Sequence, residues 1–410
     1  MSIPKKNLSE KFASNISRYF VYTALKGFGF GLFAAIWVIF LQQQRGLSLS
    51  QAALIDVTFF VAAALGEVPT GIVADTLGRK TSLTIGATLM SVSTFAWAFA
   101  PTMPLIMVAY ICLGVGYTFL SGAEDAFFYE SLQITGRTDE YTRLVGRVSA
   151  TMVGAMALGS VASGLLATID LILPFLIDGL SLLTMLGIVL SFKEPQTEEK
   201  SGGQARKPFG EVLQQSIALM RARPTLRYPM IYLALVPLAA LILETLFVQP
   251  QAVSLGVPIA GIGVVVMVVQ LTNIAGSTWS DQIKNLFGEK RVLYSAPLFI
   301  ASSLILLAAF QVFPALLFIA VIGFVTAVLR PLVMNRIQHE VSDDIRATIL
   351  SMLSLMFTLV AAISQPILGF IADQFGLPAA YVVLAGSLSI LILFLFWNSR
   401  RHFPQAAIST

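Results

Sequence analysis

Residues 171–200 read LILPFLIDGLSLLTMLGIVLSFKEPQTEEK, and the change of character at Lys193 organises the whole chain. Before it, residues 171–192 carry a single charge, Asp178. About 20 apolar residues suffice for a helix to cross a hydrocarbon core about 30 Å thick. After it, residues 193–226 open with KEPQTEEKSGGQARK, polar, charged and glycine-containing as a flexible linker is. The linker continues PFGEVLQQSIALMRAR, where Phe209, Val212, Ile217 and Met220 suit an amphipathic helix lying on a membrane surface.

Working outward in both directions, similar apolar runs recur from Tyr19 to Trp397. Spans fall at 19–42, 52–74, 81–100, 104–130, 144–167 and 171–192 before the linker. Six more fall at 227–249, 257–280, 292–312, 314–338, 347–372 and 378–398. Of the 410 residues, 56% are hydrophobic and 12% charged. Soluble domains carry about 25% charge, so an ordinary wetted surface is excluded. The expectation is an all-α polytopic membrane protein of 12 transmembrane helices in two pseudo-symmetric six-helix bundles. The domains are 1–192, the cytoplasmic linker 193–226, and 227–410.

Orientation follows from the basic residues. With the N-terminus in the cytoplasm, 23 of the 26 Lys and Arg fall on the inner side, in loops, tails or the inner ends of spans. Arg45 falls outside, and Lys26 and Arg330 fall within spans. That bias predicts both termini in the cytoplasm. MSIPKKNLSEKFASNISR lacks a small-residue cleavage pattern, so the first span is expected to be retained. One cysteine, Cys112, and two histidines, His339 and His402, exclude an internal disulfide and argue against His or Cys metal chemistry. No cofactor is expected. The basic pI near 9.1 reflects membrane topology, not nucleic-acid binding.

Span 2 ends ALGEVPTGIVADTLGRKTSL, in which Gly71, Asp75, Gly78, Arg79 and Lys80 spell G-x-x-x-D-x-x-G-R-K. Gly71 allows close helix contact and Gly78 a tight turn. Asp75 stands where a carboxylate can accept from helix N-termini or pair with Arg79. This stretch resembles the loop 2–3 signature of the major facilitator superfamily, and it lies in the expected loop of a 6+6 protein. The resemblance implies a cytoplasmic latch that stabilises the outward-open state, with Glu130 at the end of span 4 a partner for Arg79 or Arg346. Weaker echoes are Gly276 and Asp281 followed by GEKR, and Gly369, Asp373 and Gly376 after span 11. Two other superfamily patterns are poorly matched. Span 4 has no Arg or Lys, and VGAMALGSVASGLL in span 5 keeps Gly154, Gly159, Ser163 and Gly164 without the antiporter proline.

An ionisable group inside a span is costly unless paired or hydrated, which makes it a candidate functional residue. These are Lys26, Asp56, Glu67, Glu124, Asp125, Asp178, Glu244 and Arg330. At 1.5 Å per residue, Lys26 lies about 10 Å from the inner end of span 1, and Glu124 lies at a similar depth in span 4. The superfamily fold places spans 1, 4, 7 and 10 around a central cavity. Lys26 is thus expected to meet Glu124 or Asp125. The two acids point about 100° apart, so one is left for substrate or a proton. Glu244 and Arg330 occupy the repeat-equivalent spans 7 and 10.

Glu67 beside Pro69 is a second proton-carrier candidate, read as a buried carboxylate. Tyr22, Lys26, Phe30, Phe33 and Trp37 share one face of span 1 and suit an amphipathic or aromatic ligand. GFGFG at 27–31 marks a bendable or closely packed segment, and Gln365-Pro366 a kink. Gln270, Asn273 and Asn335 are further polar candidates.

G-x-x-x-x-G-K-[ST] is absent, and neither a nucleophile–base set nor a metal-ligand set is visible. The expectation is therefore a secondary transporter and not an enzyme. It would work by alternating access, with protons as the coupling ion and a small molecule as cargo. Export of amphipathic compounds, as in the bacterial drug efflux members it resembles, is the leading reading. Proton-coupled uptake of a small polar metabolite is the alternative, and a non-transporting sensor stands in a different class. The expected setting is the bacterial inner membrane, with the chain a monomer among lipids.

Overall fold

With no water in a bilayer to satisfy backbone N–H and C=O groups, apolar segments of this length must bond internally as helices. The computed structural model describes residues 5–195, 224–340 and 343–402. The first helix, α1, runs Lys5–Ala34 and continues past a break as Trp37–Ile39 and a π-helical turn, Phe40–Gln44. Then come α2 (Leu49–Leu77), α3 (Arg79–Phe99), α4 (Met103–Ile134), α5 (Tyr141–Ala167) and α6 (Leu173–Ser191). Next, α7 runs Pro224–Ile242 and continues through a second π-helical turn, Leu243–Phe247, into Val248–Ser254. The remaining helices are α8 (Ile259–Thr278), α9 (Glu289–Ala309), α10 (Leu316–Glu340), α11 (Asp343–Phe375) and α12 (Leu377–His402).

Ten helices among the described residues are long and apolar enough to cross a membrane. Phe12–Ala34 with Trp37–Gln44, bent by 44°, makes an eleventh, and Leu377–Leu391 is a shorter apolar stretch in α12. The twelve expected spans are thus all helical. The amphipathic segment expected at 209–220 lies outside the described residues.

The first span differs from expectation at its start. Hydropathy places it at residue 19, yet the helix begins at Lys5. The polar extension is held because Phe12 and Ile16 are buried and Asn15 finds partners. Asn15 Nδ2 donates to the Lys193 carbonyl at 2.9 Å, and the Lys193 N–H donates to Asn15 Oδ1 at 3.0 Å. Hydropathy sees the greasy part of a helix only. The loop between α8 and α9 also departs from the first-half motif, because an extra helix, Ser280–Phe287, is inserted there. Both loops nevertheless end on a glycine with positive φ, Gly78 at 99° and Gly288 at 82°, where a side chain would be strained.

The chain divides into two compact units. The first holds Met1–Leu47, Ile55–Pro208 and Pro258–Met267; the second holds Ser48–Leu54, Phe209–Val257 and Val268–Thr410. In the first, GFGFG is a packing device. A Cβ at Gly27 would strike the Met152 carbonyl oxygen, and one at Gly31 the Met156 carbonyl oxygen, so both glycines face α5. Gly29 faces α6, where Asp178 fills the space. Gly159 of α5 answers against the Phe28 carbonyl. Hydroxyl donors add to the seam, with Ser163 Oγ to the Leu32 carbonyl at 2.7 Å and Ser181 Oγ to the Leu25 carbonyl at 2.9 Å. Small residues that let backbones meet, with hydroxyls bonding across, are how helices associate in lipid.

In the second unit, Asp373 ends α11 as a cap for α2. Its carboxylate accepts from the Leu49 and Ser50 N–H groups at 2.9 Å each and from Ser50 Oγ at 2.6 Å. A carboxylate at a helix N-terminus meets its unpaired donors and the positive end of its dipole. This explains why residues 48–54 belong to the second unit.

Candidate functional site

On α1, Tyr22 and Lys26 stand one turn apart on a single face. That face meets Glu124 of α4. Lys26 Nζ donates to Glu124 Oε1 and Oε2 at 2.6 and 2.7 Å, and the Tyr22 hydroxyl donates to Oε1 at 2.5 Å. Lys26 also lies over the Tyr117 ring, 5.8 Å from its centre. Both charged side chains keep 15% of their surface exposed, so the pair is neither sealed nor fully wet. Tyr22 itself is buried and stacks on Tyr19, with ring centres 5.6 Å apart. Of the two acids left open by the spacing argument, Glu124 is the one that meets the lysine.

Asp125 turns the other way. It is exposed and makes no hydrogen bond or ion pair among the described residues. It belongs to a stripe on α4 at steps of four: Tyr117, Ser121, Asp125 and Tyr129 are all exposed. Nearer its start, α4 exposes Leu105, Val108 and Ile111 instead. One helix thus presents an aliphatic surface over its first turns and a hydroxylated, acidic one later.

The aromatic face of α1 is divided differently from the periodicity reading. Phe33 packs against Trp97 of α3, Tyr110 of α4 and Phe175 of α6, at centroid distances of 4.9, 5.9 and 5.4 Å. Trp37 is buried against Tyr110 at 6.3 Å. These two rings are core of the first unit. Phe30 is exposed.

Glu67 requires a correction. It is exposed, not buried, because α2 turns Gly66 and Thr70 inward and carries Glu67 on the other side. Gly66 lies tight against Thr118 of α4, which fixes that rotation.

The loop signature assembles as a cluster at the joint of α2 and α3. Arg79 donates to Asp75 Oδ1 at 2.6 Å and to Glu130 Oε1 at 3.4 Å. Gly71 is buried, and Asp75 is exposed. The Arg346 side chain lies outside the described residues. One member escaped the sequence reading. Glu194, just beyond α6, accepts from the Arg79 and Lys80 N–H groups at 2.6 and 2.8 Å, capping α3. A Cβ at Gly78 would lie 2.7 Å from Glu194 Oε1, so the glycine serves both the turn and this cap. An acid at the start of a linker carried no signal that it would reach back 114 residues.

At the joint of α4 and α5, Glu140 accepts from Arg137 at 3.0 Å and from Arg143. These bonds, Arg137 first, hold its carboxyl down at about 2.

In the second unit, Glu244 lies in the π-helical turn of α7 and accepts from Asn273 Nδ2 of α8 at 2.9 Å. Gly323 of α10 faces both side chains. Arg330 is exposed, two turns further along α10, and forms no ion pair among the described residues. The structure does not bring Glu244 and Arg330 together. No cluster of metal-ligating side chains occurs among the described residues.

Comparisons with known proteins agree with this architecture. The family model described as Major Facilitator Superfamily matches residues 19–285 and 245–407. A curated relative, the uncharacterized MFS-type transporter YxaM of Bacillus subtilis (strain 168), is 24% identical over 210 residues. That match spans 50% of this chain and 51% of YxaM, about half the length of each. Among solved structures, the nucleoside transporter NupG superposes with a TM-score of 0.77 at 15% identity, covering 93% of this chain and 98% of NupG. A bacterial homologue of the human lysosomal transporter Spinster, inward-facing and unoccupied, gives 0.74 at 14% identity, covering 98% of both chains. A D-xylose-proton symporter gives 0.69 at 14%, covering 94% of this chain and 97% of the symporter. The helices, the loop signature and the family match converge, and the chain belongs to the Major Facilitator Superfamily.

Proposed function

We propose that the protein is a proton-coupled secondary transporter that exports amphipathic small molecules by alternating access. The observation that carries this reading is Asp125. It is exposed and, among the described residues, unpaired on the Tyr117, Ser121, Asp125, Tyr129 stripe, beside a Lys26–Glu124 pair already neutral as a unit. Facing lipid, such a carboxylate would be costly; facing a wet path, it can meet a cationic cargo or a proton. Lys26, Glu124 and Tyr22 line that path. Exposed Phe30 and Glu67 are further candidates along it. Glu244 and Arg330 are candidates in the second unit. The Asp75, Arg79, Lys80 and Glu130 cluster, with Gly71 and Gly78, is the conformational latch. The setting is the bacterial cytoplasmic membrane, both termini inside, with domains 1–192 and 227–410 joined by a linker.

A specific observation favours a second reading, proton-coupled uptake of a polar metabolite. With Phe33 and Trp37 given to the core, the α4 stripe offers more hydroxyls than apolar surface. A thermal-shift screen of purified protein against lipophilic cations, sugars, organic anions and amino acids separates the two readings. The best hit is then followed in proteoliposomes under a pH gradient. Export predicts lipophilic-cation hits and loss of proton-driven movement in Asp125→Asn at unchanged melting temperature. Wild-type activity in Asp125→Asn would remove this residue from the mechanism.

A further inference from the structure

Within the second unit, three helices bring an acid and an amide together edge to edge. Asn273 Nδ2 of α8 donates to Glu244 Oε2 of α7. The other amide atom, Asn273 Oδ1, is buried and has no donor among the described residues. Gly323 of α10 locates it. A Cβ at that glycine would overlap Asn273 Oδ1 and lie 2.8 Å from Glu244 Oε1. The amide oxygen and the second carboxyl oxygen therefore both lie against the bare backbone of Gly323. Any larger residue on α10 would separate them.

As a carboxylate, Glu244 has acceptors only, and a primary amide has one acceptor and a two-proton donor. The amide can satisfy one carboxylate oxygen, but its own oxygen is then left without a donor from the carboxylate. Exchanging the amide's N and O merely moves the mismatch to the other edge. Protonation of the carboxylate removes it. A proton on Oε1 becomes a donor to Oδ1, and the two side chains close into a ring of two hydrogen bonds. Leaving a buried acceptor unmet is costly, so the pair discriminates in favour of the acid.

Among the described residues no hydrogen bond or ion pair brings a further donor or a charge to this pair; other polar side chains along the same helices include Gln270 of α8 and the buried Thr326 hydroxyl of α10. On α7, Tyr232 donates to the Leu293 carbonyl. Arg330 on α10 is exposed and unpaired among the described residues. On α11, Asp373 is engaged with Leu49 and Ser50, and on α12 the Tyr381 hydroxyl donates to Gln251. Helix α8 carries no charged residue between Ile259 and Thr278.

We propose that Glu244, Asn273 and Gly323 form a reversible proton site, in which a hydronium ion gives its proton to Glu244 Oε1 and the resulting acid pairs with the Asn273 amide. That this proton is the coupling ion rests on the transport reading above. The site is separate from the Lys26–Glu124 pair, where the carboxylate already has three donor contacts.

The test uses protons alone as ligand. Infrared difference spectra of the reconstituted full chain are recorded on acidification in H2O and D2O. The expected result is a deuterium-sensitive acid carbonyl band in the wild type that is lost in Glu244→Gln. In Asn273→Leu and Gly323→Ala the band moves to higher wavenumber, because the acid loses its partner or is pushed from it. Asn273→Leu provides the decision if Glu244→Gln does not fold. The same band in Glu244→Gln, or an unmoved band in Asn273→Leu, would overturn the site while leaving transport standing. A wild type silent in proton-driven proteoliposomes would overturn the transport reading and leave the band in place.

Discussion

Removing either member of the Lys26–Glu124 pair should cost far more than removing both. In Lys26→Met, Glu124 retains the Tyr22 hydroxyl as its one donor and becomes an uncompensated charge in a site only 15% exposed. Breaking a buried pair from one side costs 3–5 kcal/mol, and the residual exposure places this change at the lower end, about 3 kcal/mol. In Glu124→Gln, the amide oxygen can still accept from Lys26 but the ammonium loses its counter-charge and keeps only the face of Tyr117 beside it, so the loss is again about 3 kcal/mol. The double variant Lys26→Met, Glu124→Gln carries no charge, and its glutamine oxygen still accepts from Tyr22. Its cost should therefore stay near that of one single change, giving a coupling energy of about 3 kcal/mol. That is roughly a hundredfold in an unfolding constant. Equilibrium unfolding of the four proteins in mixed micelles, followed by tryptophan fluorescence, completes the cycle. A double variant whose loss equals the sum of the singles within about 0.5 kcal/mol would show that the two residues do not act as a pair.

The other predictions follow from individual contacts. Gly31→Ala drives a Cβ into the Met156 carbonyl and should cost ~3 kcal/mol, read as lost folded yield and a lowered melting temperature, whereas Gly154→Ala meets nothing within 4 Å and should be neutral or gain up to about 1 kcal/mol. Glu194→Gln weakens the cap of α3 and should cost about 1 kcal/mol in the same unfolding assay; no change would show that water replaces the cap equally well. Asp75→Asn should alter cysteine-probe accessibility on the two faces while ligand binding persists, and an unaltered pattern would count against a latch. Glu140 has a carboxyl depressed to about 2 from 4.5. The stabilisation it contributes is complete above about pH 4.5 and is lost as pH falls through about 2. The melting difference between wild type and Glu140→Gln should therefore be constant from neutral pH to about 5 and shrink below that. A difference that shrinks near neutrality would refute the assignment.

How much could be read in advance depended on whether one helix or several set the answer. The span count needed only hydropathy. Depth alone brought Lys26 to the level of Glu124, across 98 residues of sequence. Periodicity put Tyr22, Phe33 and Trp37 on one face of α1 but could not say what that face meets. Trp97, Tyr110 and Phe175 come from three other helices to fill it, and no single-helix argument contains them. The same limit misjudged Glu67, whose exposure is decided by Gly66 docking on Thr118. Asn273 was visible as a polar residue in span 8, but its meaning depends on Gly323, a residue with no side chain to notice. The π-helical turns had no proline or glycine to announce them.

The glycine seam of α1 has a consequence for how the ion pair can open. With Gly27 and Gly31 seated on the carbonyls of one neighbour and Gly29 on Asp178 of another, α1 cannot roll about its axis without driving backbone into backbone. The backbone that carries Lys26 and Tyr22 is therefore the stationary jaw of a clamp. Whatever frees Glu124 must come from a new rotamer of that glutamate or of Lys26, or from a slide of the helix that bears the glutamate.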